Sequence, residues 1–204
     1  MIQRSNKWFK ARACRITASR FGDVMAGYNT KRYQNYLEEI IDNLSGIPVF
    51  NSDKPWFEHG VKMEPDAKRL YEWEMFKNGI DCDLEDVGLI VHPKYDFVAC
   101  SPDGIFMAFK RGIEIKSRIS HAAHLKSKKN GLPAENKHQV QGSIWICENH
   151  PDYMIESWDY VSYFEDPDRL IDTDMYIKNI LPDHEYHKKL EERCLEFWDK
   201  VQKG

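Results

Sequence analysis

The chain has 204 residues, of which 42% are hydrophobic and 30% charged, and its formal net charge is −4. These values are typical of one soluble globular domain, and no apolar run approaches the roughly 20 residues that span a membrane. Five widely spaced cysteines without a Cys-x-x-Cys pair exclude a disulfide framework and a cysteine zinc site. The first residues lack the apolar core of a signal peptide, so we expect a single cytoplasmic domain over residues 1–204.

The charges are strongly segregated along the chain. Residues 1–33 hold eight lysines and arginines against one aspartate, and residues 110–137 hold eight against two glutamates. The remaining segments together carry a charge of −17. This pattern suits a basic groove on an acidic body, which contacts phosphates while most of the surface repels them. Solvated basic helix faces would produce the same pattern.

The first third of the chain has a helical texture. Apolar periodicity, caps and stops predict helices over residues 5–13, 17–27, 30–44 and 55–77. Pro65 interrupts the last of these, so either the helix kinks there or a second helix begins.

From residue 79 onward the texture changes to strands. Short β-rich runs predict strands over 79–83, 87–92, 96–100, 103–109, 112–117 and 153–163. Helices are predicted over 121–129, 135–148 and 183–202. This order predicts a mixed α/β fold, with a central mixed sheet flanked by helices and not a doubly wound parallel sheet.

One early segment has the features of an anion site. Thr17 is a plausible N-cap, Ser19 falls in the first helical turn, and Arg12 lies shortly before them. Free backbone N–H groups and a bidentate guanidinium together bind phosphate well. Plain capping beside a surface arginine is the alternative interpretation.

Two stretches place carboxylates and a lysine together. Asp103 occupies a Pro-Asp-Gly turn, and Glu114 and Lys116 alternate with isoleucines, so period 2 puts both charges on one face of a strand. Two carboxylates brought close repel each other and raise each other's pKa. A divalent cation removes that repulsion, and oxygen ligands suit Mg²⁺ or Mn²⁺. The pattern therefore predicts a metal-dependent phosphodiester hydrolase.

Two further pairs, His121-x2-His124 and His184-x2-His187, have the spacing of helical metal ligands. No third ligand or cysteine accompanies either pair in the sequence. We therefore interpret them as surface histidines.

The carboxylates and lysine fit the P-D-x(n)-(D/E)-x-K arrangement of restriction-endonuclease-like nucleases. Over residues 8–160 the chain resembles the lambda-type phage recombination exonucleases, the YqaJ-like group. Five blocks carry the resemblance in order: Trp8-x3-Arg12-x4-Thr17-Ala-Ser19, Gly60-x3-Glu64, Ala99-Cys-Ser-Pro-Asp-Gly104, Glu114-x-Lys116 and Gln139-Val-Gln141.

The resemblance implies a role for each matched residue of the acidic site. Asp103 and Glu114 would be metal ligands together with the backbone carbonyl of Ile115. Glu64 corresponds to a helical glutamate near a second metal. Lys116 corresponds to the lysine that orients or deprotonates the attacking water.

Further roles follow from the same resemblance. Gln139 would position the water or the scissile phosphate, and Arg12 and Ser19 would receive a DNA 5′-phosphate. The family often continues after its lysine with Cys-Pro, whereas this chain has Ser-Arg, so Arg118 is either an added phosphate contact or a surface arginine. Independently of the resemblance, most of the aromatic residues are expected in the core, and Trp56 or Phe57 is a candidate for stacking on an unpaired base near the cleft.

The resemblance implies a restriction-endonuclease-like core and an Mg²⁺-dependent 5′-to-3′ exonuclease, with Mn²⁺ as a substitute. Such an enzyme acts on double-stranded DNA ends and leaves 3′ single-stranded tails for phage recombination by annealing. It further implies a homotrimer ring, a single-strand annealing recombinase as partner, and a phage or prophage gene expressed in a bacterial cytoplasm. A structure-specific endonuclease or nickase, and a DNA-end-binding module with a vestigial motif, are the alternatives.

Overall fold

The computed structural model describes residues 2–47, 55–166, 168 and 172–204, without the side chains of residues 55–57. None of the helices in these parts is long and apolar enough to cross a membrane. The helices are α1 (Asn6–Ala13), α2 (Phe21–Val24), α3 (Lys31–Leu44), α4 (Pro55–Lys77), α5 (His121–Asn130), α6 (Ala134–Glu148) and α7 (His184–Lys203). The strands are β1 (Ile16–Thr17), β2 (Ile90–Val91), β3 (Val98–Cys100), β4 (Gly104–Phe106), β5 (Arg111–Ser117), β6 (Ser157–Phe164) and β7 (Asp174–Ile180).

The strands form two mixed sheets. The smaller has the order β1-β3-β2, with β1 parallel and β2 antiparallel to β3. The larger has the order β4-β5-β6-β7, and only β5 and β6 within it run parallel. Helices pack against these sheets, so the predicted mixed α/β architecture is confirmed.

Strand β5 separates two environments, as its alternating sequence predicts. Ile113 and Ile115 are buried in a cluster with Ala67 and Tyr71 of α4. The alternate residue Glu114 points away from that cluster, toward α6. The apolar face therefore anchors β5 on α4 and leaves its charged face to the site described below.

Helix α4 runs through Pro65 without a break, so neither a second helix nor an interruption is found there. Proline removes one backbone donor, which affects a single helical hydrogen bond. Beyond the proline, Ala67 and Tyr71 are fully buried against the sheet. This packing stabilises the part of α4 that follows Pro65.

Several predicted elements differ from the structure. The residues predicted as a helix from Thr17 instead form β1, a 3₁₀ turn over Ala18–Arg20 and the short α2. Ile16 pairs with Val98, so a partner 82 residues away in the chain overrides the local helical signal. The predicted strand 79–83 is irregular. Strand β7 is absent from the prediction, because its residues, most of them half-buried, show only a weak apolar alternation in the sequence.

Helix α6 passes very close to α2 at Gly142. A Cβ added at Gly142 would overlap the ring of Phe21, a fully buried side chain. We therefore expect Gly142→Ala to lower the free energy of unfolding by about 1–3 kcal/mol, the usual result of overpacking a core. Urea unfolding measures this change.

Gly60→Ala is the matched control, since Gly60 is also helical but a Cβ there would meet nothing within 4 Å. This control is expected to raise the free energy of unfolding by up to about 1 kcal/mol, because alanine is the better helix former. A Gly142→Ala protein as stable as the wild type would contradict the tight packing of α6 on α2.

Candidate active site

A cleft of about 480 Å³ opens beside β5. The N-terminal segment and α1 form one wall, α4 a second and α6 a third. The residues just before β4 and the end of β5 form its floor. Most of the residues predicted to form the site line this cleft. They are Arg12, Ser19, Glu64, Asp103, Glu114, Ile115, Lys116, Arg118 and Gln139.

Asp103 lies immediately before β4 and is held by the backbone of β5. Its amide donates to the Ile113 carbonyl over 3.2 Å, and its Oδ2 accepts from the Ile115 amide over 2.7 Å. Burial, followed by the neighbouring charges of Glu114 and Glu64, raises the pKa of Asp103 well above its usual range. Among the described residues, no lysine or arginine forms an ion pair with Asp103. The carboxylate therefore lacks a cation in this arrangement.

Glu114, Lys116 and Gln139 form a closed triangle of hydrogen bonds. Lys116 Nζ donates to Glu114 Oε1 over 2.6 Å and to Gln139 Oε1 over 3.0 Å. Gln139 Nε2 donates to Glu114 Oε1 over 2.6 Å. Burial acts to lower the pKa of Lys116, but the charges of Glu114 and Asp103 outweigh it and the pKa is raised. The lysine is therefore an ammonium that neutralises Glu114.

Glu64 projects from α4 and carries two cationic partners. It pairs with Arg4, and with Lys68 over 3.0 Å. Lys68 in turn pairs with Asp86 over 2.6 Å. The sequence offered only a weak signal for Arg4, which belongs to the basic N-terminal segment but matches no motif. Arg4 is also one of the few non-glycine residues with a positive φ, 62°.

The donor set fits a hard divalent cation. The carboxylates of Asp103, Glu114 and Glu64 and the backbone at Ile115 line one cleft, and every one of these donors is an oxygen. Two of the carboxylates hold cationic side chains, and the third, Asp103, has its pKa raised by the other two. A cation at this place would relieve that repulsion.

Arg12 and Ser19 meet at the other side of the cleft. Arg12 Nη2 donates to Ser19 Oγ over 3.0 Å, and the guanidinium stacks 4.4 Å from the centroid of the Trp8 ring. In the described parts of the chain no carboxylate pairs with Arg12. Because Ser19 belongs to a three-residue 3₁₀ turn, the predicted helix N-terminus is wrong. An anion would be bound by the side chains of Arg12 and Ser19.

Arg118 lines the cleft but is also tied to its wall. Its Nη2 donates to Asn136 Oδ1 over 3.2 Å and to the Tyr160 hydroxyl, while its Nε is buried without a partner. These partners are neutral, so the charge of Arg118 stays uncompensated by them. Trp56 lies in α4, but its side chain is outside the described residues.

Both histidine pairs are interpreted from the sequence as surface residues, but the structure shows that one histidine of each pair is buried. His124 is fully buried, with Nδ1 3.0 Å from Ser162 Oγ. His187 is buried as well, whereas His184 is exposed. The spacing of the histidines in the sequence does not predict this burial. It depends on how α5 and α7 pack against the rest of the protein.

Comparisons with known proteins add family information to this geometry. The YqaJ-like viral recombinase domain matches residues 7–150. The crystal structure of an alkaline exonuclease from Laribacter hongkongensis, LHK-Exo, is 28% identical with a TM-score of 0.78, and the match covers 97% of this chain and 93% of that one. The structure of LHK-Exo in complex with dAMP matches over the same shares at 28% identity, with a TM-score of 0.79.

A phage-related exonuclease from Haemophilus somnus 129PT has the same fold. It is 16% identical with a TM-score of 0.67, and the match covers 93% of this chain and 94% of that one. No curated protein sequence matches the chain significantly.

Proposed function

The chain belongs to the family of YqaJ-like viral recombinase domains, and on that premise we propose that it is an Mg²⁺-dependent 5′-to-3′ exonuclease. Its substrate is the end of double-stranded DNA, and its product is a 3′ single-stranded tail. One observation carries the proposal: the cleft that holds Asp103, Glu114 and Lys116 also holds Arg12, a cation that pairs with no carboxylate among the described residues. Hydrolytic groups and a phosphate-binding group therefore face the same substrate.

Asp103, Glu114 and the Ile115 carbonyl are the proposed ligands of one metal ion, and Glu64 adjoins a second. Bound Mg²⁺, for which Mn²⁺ can substitute, supplies charge relief at the phosphate and a more acidic bound water. Glu64 also pairs with Arg4, so a metal ion bound at Glu64 would compete with Arg4 for the same carboxylate.

Lys116 and Gln139 are the proposed positioning groups for the attacking water. Both contact Glu114 and each other, so their polar atoms converge at one point of the cleft. Lys116, an ammonium in this arrangement, carries the positive charge that would orient the water, and it can take the proton of the water only after giving up one of its own. Gln139 fixes the direction of the lysine through its amide oxygen and can also hydrogen-bond the scissile phosphate.

The polarity of degradation is assigned to Arg12 and Ser19. The Arg12 guanidinium has no acidic partner in the described part of the chain and lies next to the Ser19 hydroxyl, so the two side chains offer the donors that a terminal 5′-phosphate needs. Each cleavage creates a new 5′-phosphate, so a pocket for that group favours the next step along the same strand. The related LHK-Exo forms a complex with dAMP, which supports a nucleotide phosphate as the ligand of the proposed pocket. Arg118 is a second candidate phosphate contact.

The biological setting follows from the family. We propose a phage or prophage recombination enzyme that acts in the cytoplasm of the bacterial host as a homotrimer ring around DNA. Its partner is a single-strand annealing recombinase that takes up the 3′ tail. Sedimentation of the purified protein tests the trimer directly.

Strand-specific labels test the polarity. A linear duplex is labelled at the 5′ end of one strand or at the 3′ end, and incubated with Mg²⁺. The 5′ label is expected to appear at once in small fragments, while the 3′ label stays in long strands that shorten gradually. Immediate release of the 3′ label would contradict the proposed direction, and internal nicks on both strands would favour the endonuclease alternative.

Arg12→Ala is expected to remove most of the preference for a 5′-phosphate over a 5′-hydroxyl end. The loss of a charge-assisted contact of about 1.5–3 kcal/mol corresponds to a decrease of roughly 10- to 100-fold in kcat/KM. This decrease is expected for the duplex with 5′-phosphate ends and not for the duplex with 5′-hydroxyl ends. Initial rates on the two matched duplexes measure it. Arg69→Ala is the control, since its side chain is 75% exposed on α4 and does not line the cleft. An unchanged preference in Arg12→Ala would remove Arg12 from the pocket.

A further inference from the structure

A second group of metal-ligating side chains lies where the end of α6 meets the start of α7. Glu148, His184 and His187 each offer one ligand atom, and these atoms all lie within 4.8 Å of one another. The third ligand that the His184-x2-His187 motif lacks in the sequence is therefore supplied by α6. Two histidines and a carboxylate form a common ligand set for zinc and related transition metals.

The distances between these side chains are close to those between the ligands of a metal ion. His187 Nδ1 lies 3.0 Å from Glu148 Oε1, and His184 Nδ1 lies 3.6 Å from Glu148 Oε2. Tetrahedral ligand atoms with zinc bonds of about 2.0–2.2 Å lie roughly 3.3–3.6 Å apart. The His187–Glu148 separation is shorter than this range, and the His184–Glu148 separation, made to the other carboxylate oxygen, lies at its upper end. His184 is exposed, so its ring can move toward a shared ion without disturbing the core.

The hydrogen bonds of Gln141 determine which nitrogen of His187 faces Glu148 with a lone pair. Gln141 Nε2 donates to the Leu181 carbonyl, so its Oε1 is the acceptor for both the Asp183 amide and His187 Nε2. The proton of a neutral His187 is thus on Nε2. Its Nδ1 lone pair then faces a carboxylate oxygen, and this pair of acceptors needs a cation between them. An imidazole oriented by a hydrogen bond from its other nitrogen is the usual arrangement at a metal.

The charge of Glu148 points to the same conclusion. Its side chain is only 14% exposed, and within the described parts of the chain its ion-pairing partners are the two imidazoles alone. No lysine or arginine pairs with it there. A carboxylate that is largely buried without a permanent cation is an unfavourable arrangement unless a proton or a metal ion neutralises it.

We propose that Glu148, His184 and His187 bind a divalent transition-metal ion of the Zn²⁺ class, with water in the remaining position. The site is separate from the nuclease cleft, because Glu148 follows Gln139 by nine residues, or about 14 Å along α6. The ion joins the C-terminal end of α6 to the N-terminal end of α7. Since α6 also carries Gln139, bound metal stabilises the helix that forms one wall of the cleft.

Titration of the full chain with Zn²⁺ tests this site. Binding is measured by calorimetry in the presence of saturating Mg²⁺. Saturating Mg²⁺ competes with Zn²⁺ for the carboxylates of the cleft but poorly for imidazole, so it reduces the contribution of the cleft, and the variants assign the remaining binding. The visible absorption of bound Co²⁺ provides a second readout of nitrogen ligation. The variants are His184→Ala and Glu148→Gln, both at positions that are not in the core. His121→Ala is the matched control, because it begins α5 in the other His-x2-His pair.

The wild type and His121→Ala are expected to bind one Zn²⁺, and His184→Ala and Glu148→Gln to bind it about 100-fold more weakly or worse, since even outer contacts of a metal site change affinity by about 10- to 100-fold. The wild-type Co²⁺ spectrum is expected to be lost in the same two variants. Equal Zn²⁺ affinity in wild type and His184→Ala would overturn the proposal. The absence of Zn²⁺ binding by the wild type would also overturn the proposal. In that case a proton, and not a metal ion, would lie between His187 and Glu148.

Discussion

Replacing Asp103 by asparagine is expected to abolish Mg²⁺-dependent DNA hydrolysis, by about 10³-fold or more, because a direct ligand matters more than the outer contacts whose loss costs about 10- to 100-fold. The amide retains the shape of the side chain and an oxygen for the Ile115 amide. It lacks the negative charge that a metal ligand needs. Initial rates of nucleotide release from a linear duplex measure the loss.

The same substitution is expected to raise the melting temperature of the metal-free protein. Burial and the charges of Glu114 and Glu64 raise the folded-state pKa of Asp103 above its unfolded value. The contribution of such a carboxyl group to the free energy of unfolding is fully present at a pH below its unfolded-state pKa. That contribution is lost as the pH rises through the folded-state pKa. At neutral pH an asparagine removes this repulsion. An activity loss combined with a gain in stability distinguishes a functional carboxylate from a structural one.

Asp152→Asn is the matched control, since the Asp152 side chain is 79% exposed and lies outside the cleft. Its activity and melting temperature are expected to equal those of the wild type. An Asp103→Asn protein that keeps more than about a tenth of the wild-type rate in Mg²⁺ would contradict the assignment of Asp103 as a metal ligand.

Lys116→Arg is expected to lower kcat by about 10²- to 10⁴-fold, the range that a positioned general acid or base contributes. The guanidinium keeps the positive charge beside Glu114, but it does not release or accept a proton at neutral pH, and its planar donors do not reproduce the two contacts of Nζ. The melting temperature should change little, because the buried charge pair persists. Single-turnover hydrolysis of a labelled duplex measures the chemical step.

Lys116→Ala distinguishes the role of Lys116 in neutralising Glu114 from its role in proton transfer. It removes the only lysine or arginine that pairs with Glu114 within the described parts of the chain, and the Glu114 side chain is 4% exposed. This variant is expected to be less stable than Lys116→Arg in a chelator, and Mg²⁺ should narrow the difference. Lys188→Ala, at an exposed position of α7, is the control. A Lys116→Arg enzyme within about threefold of the wild-type kcat would exclude a proton-transfer role.

The sequence predicts those parts of the site that depend on local geometry. The alternation of residues in β5 is enough to place Glu114 and Lys116 on one face and the isoleucines on the other, as found. Asp103 joins them because β4 and β5 are an antiparallel pair close together in the chain. Glu64 and Gln139 come from distant helices, and only the family resemblance pointed to them.

The features that the sequence did not predict depend on long-range packing. Arg4 reaches Glu64 across 60 residues, and β1 forms because Ile16 finds a partner in β3. The ligand Glu148 meets His184 only after α6 and α7 pack together. In each case the local residue pattern is compatible with several neighbours, and the tertiary contact decides among them.

The most direct test of the proposed function uses one DNA molecule in two forms. A covalently closed circular duplex and the same duplex cut once to leave 5′-phosphate ends are incubated with the wild-type protein and Mg²⁺, with and without a chelator. We expect the linear form to be degraded from its ends only when the metal is free, and the closed circle to stay intact. Cutting of the closed circle, or equal degradation in the chelator, would contradict a metal-dependent exonuclease.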